Sequence, residues 1–188
     1  MGLIISILSI LLLYYGFITM WSRFFPSISY TNEWKINAPI DFTYSAFMNF
    51  NNRPYWMPGF KKIKLISGTD NAEGAVYMFE IRSFFSNTYF KETVKDIETN
   101  REYIFDLENE QMHAHNQIIF LISGADKTTL LSKTRLQGKT KYDQAVIKLL
   151  ERNLRKKSDH SFKLFKSFVE DRYQQMVAEQ IKKKKLNT

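Results

Sequence analysis

The hydrophobic period changes at Gly138, and this change constrains the fold more than any other feature of the sequence. Before it, apolar and polar residues alternate in six short runs separated by turn residues, as in β-strands: residues 61–67, 75–83, 88–97, 101–108, 111–123 and 128–137. After it, apolar residues lie mostly three or four positions apart, as on one face of a helix: Val146, Ile147, Leu150, Leu154, Phe162, Phe165, Val169, Tyr173 and Met176. The short loops favour an antiparallel meander, so the sequence predicts a sheet followed by one long helix.

A short strand and a helix precede this sheet. Residues 33–37 alternate as a strand does, and Asp41 is a suitable N-cap for a helix through Asn49. Residues 51–54 end that helix, and an aromatic corner follows at residues 55–60. The order predicts an α+β domain with a curved antiparallel sheet, whose concave face only the terminal helix is long enough to cover.

The N-terminal segment is strongly apolar. Residues 3–21 form an uncharged run of nineteen residues, which as a helix spans ~28 Å, close to the ~30 Å hydrocarbon core of a bilayer. A signal peptide is disfavoured because no basic residue precedes the run and no small-residue cleavage site follows it. The sequence therefore predicts a transmembrane helix and single-pass membrane localisation. Arg23 and Lys35 follow the run and no Lys or Arg precedes it, which predicts a cytoplasmic soluble domain.

Charge is concentrated at the C-terminus. The chain carries a net charge of +8, of which +7 lies in residues 141–188. Beside a predicted anchor, this basic region is explained more simply by anionic lipid than by nucleic acid, which we therefore disfavour as a partner. A solvated helix face ending in residues 182–185 explains the charge equally well.

The composition excludes several classes of function. The chain has no Cys, which excludes a disulfide scaffold, a thiolate metal site and a cysteine nucleophile. It also lacks a glycine-rich phosphate loop, a serine nucleophile elbow and a zinc-binding HExxH motif. We therefore predict no cofactor, no metal site and no catalytic residue, and favour a binding protein over an enzyme. The predicted organisation is an anchor at 1–23, a linker at 24–32, a ligand-binding domain at 33–178 and a basic tail at 179–188.

Several short segments follow one another in an order that resembles that of a known protein family. They are Ile36 to Asp41 before the first helix, the corner at residues 55–60, Gly74 at a strand start, the hairpin at 124–128 and the helical residues 161–170. Over roughly residues 32–175 their order and spacing resemble the START-like superfamily, also called SRPBCC, of the polyketide cyclase/dehydrase and lipid-transport type. The N-terminal apolar segment and the extra helical stretch at 141–157 depart from that pattern.

The resemblance implies a helix-grip fold with an apolar cavity between the sheet and the last helix. Such a cavity holds a lipid, sterol, polyketide or other apolar molecule, and the resemblance implies no reaction. We expect ten residues to face this ligand. Trp56 and Phe60 of the aromatic corner could line the cavity entrance, and strand alternation and helical spacing select the others: Tyr77, Phe79, Ile81, Tyr103, Phe105, Phe162, Phe165 and Val169.

Two sets of polar residues are candidates for chemistry. His113 and His115 share one face of a strand and could form an acid–base pair or bind a metal, or could simply lie half-exposed. Glu80, Arg82, Lys91 and Glu92 also fall within strands, and a buried, paired charge among them could orient a polar ligand group.

The sequence thus predicts a membrane-anchored START-like domain that binds a hydrophobic small molecule or lipid. The alternatives are a polyketide cyclase/dehydratase-type enzyme, which would use His113, His115 or a buried carboxylate, and a membrane-bound scaffold whose cavity is filled by side chains.

Overall fold

In the part of the chain that the structure describes, seven strands and a long C-terminal helix form the body of the protein. A computed structural model describes residues 2–82 and 87–186, with the side chains at 2, 3, 19, 21, 22 and 186 left out. The elements in order are α1 (Gly2–Phe24), β1 (Ile28–Ile36), α2 (Ile40–Met48), a 3₁₀ turn (Phe50–Asn52), α3 (Arg53–Trp56), β2 (Phe60–Ser67), β3 (Val76–Arg82), β4 (Asn87–Glu98), β5 (Glu102–Glu108), β6 (Met112–Gly124), β7 (Lys127–Gly138) and α4 (Lys141–Leu186).

All seven strands pair antiparallel in one sheet, in the order β1-β7-β6-β5-β4-β3-β2. The pairing places Trp34, Leu130 and Phe120 side by side on three neighbouring strands, and all three side chains are buried. The register shifts in β4 after Val94 and in β6 after Ile122, and such bulges increase the curvature of a sheet. One face of the sheet is therefore concave and lined by the inward side of the strand alternation.

The C-terminal helix covers this concave face. Phe165 and Val169 of α4 are fully buried, and the ring of Phe162 stacks on Trp34 with centroids 4.5 Å apart. The indole Nε1 of Trp34 donates a hydrogen bond of 3.2 Å to Asp159, which fixes the same stretch of helix over β1. This arrangement confirms the predicted α+β helix-grip architecture.

Local sequence explains where α4 begins. Thr140 and Asp143 form a reciprocal cap: the amide of Asp143 donates to the Thr140 hydroxyl, and the amide of Thr140 donates to the Asp143 carboxylate, each over 3.1 Å. Gly138 precedes this cap, and its amide donates to the side-chain oxygen of Gln144 over 2.7 Å. A β-carbon at Gly138 would collide with the backbone of Gln144, so the turn from β7 into α4 requires glycine there.

The N-terminal segment differs from the prediction. Residues 2–24 are helical, but no helix in the described part of the chain is both long enough and apolar enough to cross a membrane. The predicted anchor at 1–23, the single-pass membrane localisation and the membrane as a partner are therefore corrected, and the cytoplasmic orientation that depended on the anchor loses its basis. The apolar run instead forms a helix that packs along α4, where Ile18 is buried.

Two segments around the domain are more regular than the sequence indicated. β1 begins at Ile28, inside the stretch assigned to a linker, because the inward side chains of Ile28 and Tyr30 pack against β7 and α4. The long helix continues to Leu186, so the basic residues 182–185 extend its last turns. Residues 187 and 188 of the predicted tail lie outside the described residues.

Candidate functional site

The residues that the sequence selected for ligand contact lie together in the interior. Most are buried between the sheet and α4 in a single cluster: Trp56, Tyr77, Tyr103, Phe105, Phe162, Phe165 and Val169. Phe79 is buried nearer the β2 edge, with its ring stacked on Phe60 at 6.2 Å. Phe60 and Ile81 are only partly buried and oppose each other in the β2–β3 pairing. The ten residues therefore line one interior, with Phe60 and Ile81 at its rim.

Aromatic rings fill the centre of this interior. Phe47 of α2 lies 5.5–5.9 Å, between ring centroids, from Trp56, Tyr103, Phe120 and Phe165. Three of these contacts are edge-to-face, the arrangement that best suits aromatic quadrupoles. The α2–α3 segment is thereby held against both the sheet and α4.

A buried ion pair lies within the aromatic interior. Arg53 of α3 donates from Nη1 to Oε2 of Glu92 over 2.7 Å and from Nη2 to Oε1 over 2.8 Å. The hydroxyl of Tyr103 donates a third hydrogen bond, 2.7 Å, to Oε1 of the same carboxylate. Only 3% of Arg53 and 1% of Glu92 is exposed, so the two charges are neutralised by each other and not by water.

The electrostatics of this group follow from its burial. Burial alone would lower the pKa of Arg53, but the charge and hydrogen bonds of Glu92 outweigh it and raise the pKa above its ordinary value. Burial, together with the negative charge of Glu92, raises the pKa of Tyr103 far above that of an exposed tyrosine. Arg53 therefore stays charged, and Tyr103 stays a hydrogen-bond donor, throughout the physiological pH range.

Two buried donors beside the ion pair have no acceptor among the residues that the structure describes. They are Nε of Arg53 and Nε1 of Trp56, on side chains that are 3% and 4% exposed. The two residues are three positions apart on α3 and so share a face of that helical turn. Buried N–H groups without an acceptor are rare in folded proteins, so these two require an acceptor from outside the described chain, either a water molecule or a ligand.

A second polar group lies on the concave face under the middle of α4. The Thr134 hydroxyl donates to Asn116 over 3.0 Å, and the Tyr30 hydroxyl is hydrogen-bonded to Thr134 and to Ser158 of α4. The side-chain nitrogen of Asn32 is buried here, and no residue of the described chain accepts a hydrogen bond from it. The interior therefore has polar groups at two places, one on each side of the aromatic centre.

Two surface clefts flank the turn that leads into α3. One, of about 340 Å³, lies between α2 and α4 and is lined by Phe42, Ser45, Ala46, Asn49, Asn52, Phe168 and Arg172. The other, of about 390 Å³, lies between residues 48–51 and the β2–β3 loop at Asp70 and Asn71. Both reach residues 49–52, directly before the helical turn that carries the unpartnered donors.

The two candidate histidines lie outside this interior. His113 and His115 flank the buried Ala114 on β6 and therefore point to the outer, convex face of the sheet. Both contact Asp106, at 3.4 Å from His113 Nε2 and 2.8 Å from His115 Nδ1. Burial alone would raise the pKa of Asp106, but hydrogen bonds from His115 and Lys95 lower it below its ordinary value. Among the residues that the structure describes, no group of three or more His, Cys, Asp or Glu could hold a metal ion.

The charged strand residues divide between the two faces. Glu92 is fully buried in the ion pair, whereas Lys91 is half-exposed and paired with Glu108 at 2.9 Å. Glu80 is largely covered and contacts Lys62 at 3.2 Å, and Arg82 is exposed. Arg53, the partner of Glu92, was not among the sequence candidates. The signal that could have found it is the inward phase of Glu92 between Phe90 and Val94, which requires a buried cation somewhere in the chain.

Comparison with solved structures identifies the fold. The Zhui aromatase/cyclase from Streptomyces sp. R1128 superimposes with a TM-score of 0.66 at 12% identity, over 78% of this chain and 95% of that one. Ara h 8.0201 gives 0.63 at 14% identity, over 76% and 97%. A START superfamily protein from Mycobacterium smegmatis gives 0.59 at 16% identity, over 80% and 98%. The chain therefore has a START/SRPBCC-type fold.

Sequence comparison adds no closer relative. No protein-family model matches the chain, and no curated protein matches its sequence. Because all three structural identities lie below 25%, the likeness is one of fold alone.

Proposed function

We propose that this protein binds a hydrophobic small molecule between the sheet and α4, in contact with α3. The observation that carries the proposal is the pair of unpartnered donors, Arg53 Nε and Trp56 Nε1, inside an aromatic interior of this fold. Aromatic side chains supply apolar area, and a few fixed polar groups set the orientation of a ligand, as in most small-molecule sites.

Ligand entry in this proposal passes through the clefts beside residues 49–52. Binding displaces ring–ring contacts around Trp56, whose indole packs on Phe47 and Phe165. The apolar surface of the ligand replaces these ring–ring contacts. The free energy needed to open the interior is therefore smaller than the free energy lost with the ring–ring contacts. The residues in contact with the ligand are then those selected above, of which Tyr77 packs on Phe50 beside these clefts, with ring centroids 4.7 Å apart.

The test is a titration with the uncharged fluorescent probe N-phenyl-1-naphthylamine, followed by ¹⁵N-labelled indole signals in NMR spectra. We expect saturable binding to one site, with shifts of the Trp34 and Trp56 indole signals. Val169→Phe, which adds volume in the interior, should weaken binding at least about tenfold, or ~1.4 kcal/mol.

The matched control addresses a different apolar groove. A groove of about 420 Å³ between α1 and α4 is lined in part by Tyr14, Ile18 and Leu149, and it could also take up the probe. Leu149→Gln alters that groove and should leave the indole shifts and the affinity unchanged. Loss of binding in Leu149→Gln, with Val169→Phe unaffected and folded, would place the probe in the groove and refute the proposal.

The scaffold function is a second candidate, and the filled interior favours it. The rings around Phe47 leave little free space between the sheet and α4. If the interior is a permanent core, the probe should give no indole shifts at any concentration. The enzyme alternative has weaker support, because both histidines lie on the convex face and Glu92 is neutralised by Arg53.

A further inference from the structure

The hydrogen-bonding capacity around α3 is unbalanced. Glu92 accepts three hydrogen bonds, two from Arg53 and one from Tyr103. The donors left over are Arg53 Nε and Trp56 Nε1. An incoming polar group therefore meets two donors that lack an acceptor, which favours a group that accepts hydrogen bonds.

The charge balance narrows the class of acceptor. The guanidinium of Arg53 is already neutralised by the bidentate contact with Glu92, so a carboxylate or phosphate entering the interior would be an uncompensated buried charge. A hydroxyl oxygen could also accept from both donors, but its own proton would then need an acceptor in a region where three of the about four acceptor positions of the Glu92 carboxylate are already taken. A carbonyl oxygen has two acceptor sites and no proton, which matches two N–H donors on the same face of a helical turn.

We propose that the bound molecule carries an uncharged carbonyl group, a ketone, aldehyde, ester or amide, whose oxygen accepts hydrogen bonds from Trp56 Nε1 and Arg53 Nε. This inference rests on the proposed function, because it assigns the polar end of the same ligand. The rest of the molecule is apolar, since Phe47, Phe165 and Phe162 surround the Trp56 indole.

The experiment uses four probes of one shape and size: 2-ethylnaphthalene, 2-acetylnaphthalene, 1-(2-naphthyl)ethanol and 2-naphthoate. Affinity for the full chain is measured by calorimetry. We expect 2-acetylnaphthalene to bind about tenfold more tightly than 2-ethylnaphthalene, or ~1.4 kcal/mol. The alcohol should fall between them, and the carboxylate should bind most weakly because of its charge.

Two substitutions test whether Trp56 makes the difference. Trp56→Phe keeps an aromatic ring but removes the N–H, so it should abolish the preference for the ketone while 2-ethylnaphthalene still binds. Trp34→Phe is the matched control: Trp34 is also buried, but its Nε1 already donates to Asp159, so the preference for the ketone should persist.

A measurement on the unsubstituted chain tests the same inference even if a variant does not fold. In ¹⁵N-indole spectra, assigned with Trp21→Phe and Trp34→Phe, the Trp56 N–H proton should move downfield with the ketone and not with the hydrocarbon. Equal affinities for ketone and hydrocarbon, or tighter binding of the alcohol or the carboxylate, would overturn the carbonyl inference and leave the hydrophobic site standing. Binding of none of the four probes would instead overturn the proposed function, and the carbonyl inference with it.

Discussion

Arg53 and Glu92 form a two-pronged ion pair in the interior, with nitrogen–oxygen distances of 2.7 and 2.8 Å. Thirty-nine positions separate them in the chain, and the pair ties the single turn of α3 to the middle of β4. Because both groups are cut off from water, neither can lose its partner without leaving a bare charge in an apolar region.

Replacing one residue of the ion pair should therefore lower the free energy of unfolding much more than replacing both residues. We expect Arg53→Met to lower the free energy of unfolding by about 3–5 kcal/mol, because Glu92 is left buried without a counter-charge. The double variant Arg53→Met, Glu92→Leu should recover at least half of that loss. Urea denaturation followed by circular dichroism measures both, with Lys91→Met, in a half-exposed pair, as a control worth at most about 1 kcal/mol. A double variant as unstable as the single one would contradict this account of the pair.

Two tyrosines should make the protein sensitive to alkaline pH. Burial, together with the nearby carboxylates of Asp70 and Glu92, raises the pKa of Tyr77 to about 12, and burial also raises that of Tyr103. An acid whose pKa is higher in the folded state stabilises that state fully below its unfolded pKa of about 10 and loses the effect as the pH rises above it.

The measurement is the free energy of unfolding at about pH 9 and about pH 11, on either side of the ordinary tyrosine pKa. We expect stability to fall between these values, and to fall less steeply in Tyr77→Phe. Tyr89→Phe, which removes a hydroxyl group from a largely exposed ring, is the control. The same slope in the Tyr77 and Tyr89 variants would show that Tyr77 ionises normally.

The histidines on the convex face should not affect ligand affinity. His113→Ala combined with His115→Ala should leave binding of N-phenyl-1-naphthylamine within about tenfold, or ~1.4 kcal/mol, of the unsubstituted protein. The physical reason is that the sheet separates both side chains from the concave face. A loss of a demonstrated catalytic turnover in this variant, with folding intact, would instead support the enzyme alternative.

The turn into α4 should tolerate no side chain at Gly138. Gly138→Ala should destabilise the protein by about 1–3 kcal/mol, because the new methyl group collides with the backbone of Gln144. Gly124→Ala is the matched control: a methyl group there meets only the flexible Lys127 side chain, so we expect a change within about 0.5 kcal/mol. Thermal unfolding of the two variants gives the comparison, and equal melting temperatures would contradict it.

The spacing of apolar residues, together with the turn residues between strands, was sufficient to predict most of the architecture. The alternation of Tyr103, Phe105 and Leu107 placed β5 correctly, and the spacing of Phe162, Phe165 and Val169 gave the buried face of α4. These signals are local, because a strand or helix that buries one face must repeat its apolar residues at its own period.

The ion pair and the state of the interior could not be predicted in the same way. Glu92 was a candidate, but its partner Arg53 lies in a turn sequence beside Pro54, where nothing local indicates burial. Whether the rings around Phe47 meet or leave a cavity depends on how α2, α4 and the sheet approach one another, which no single segment encodes. The apolar run at the N-terminus was misleading because hydrophobicity alone does not tell a spanning helix from one that packs on α4.

β1 and β2 follow each other in the sequence but lie at opposite edges of the sheet. Residues 37–59 must therefore travel across its whole width, and the strand pairs of the described chain include none of them. At its β2 end the crossing is held by a backbone hydrogen bond, from the amide of Arg82 to the carbonyl of Gly59 over 2.8 Å, and elsewhere side chains such as that of Arg53 hold it to the sheet. Because displacing it would break no strand pairing, we expect its amide protons to exchange with solvent earlier than those of β5 and β6. A ligand would then reach the interior while the hydrogen bonds between neighbouring strands stay intact.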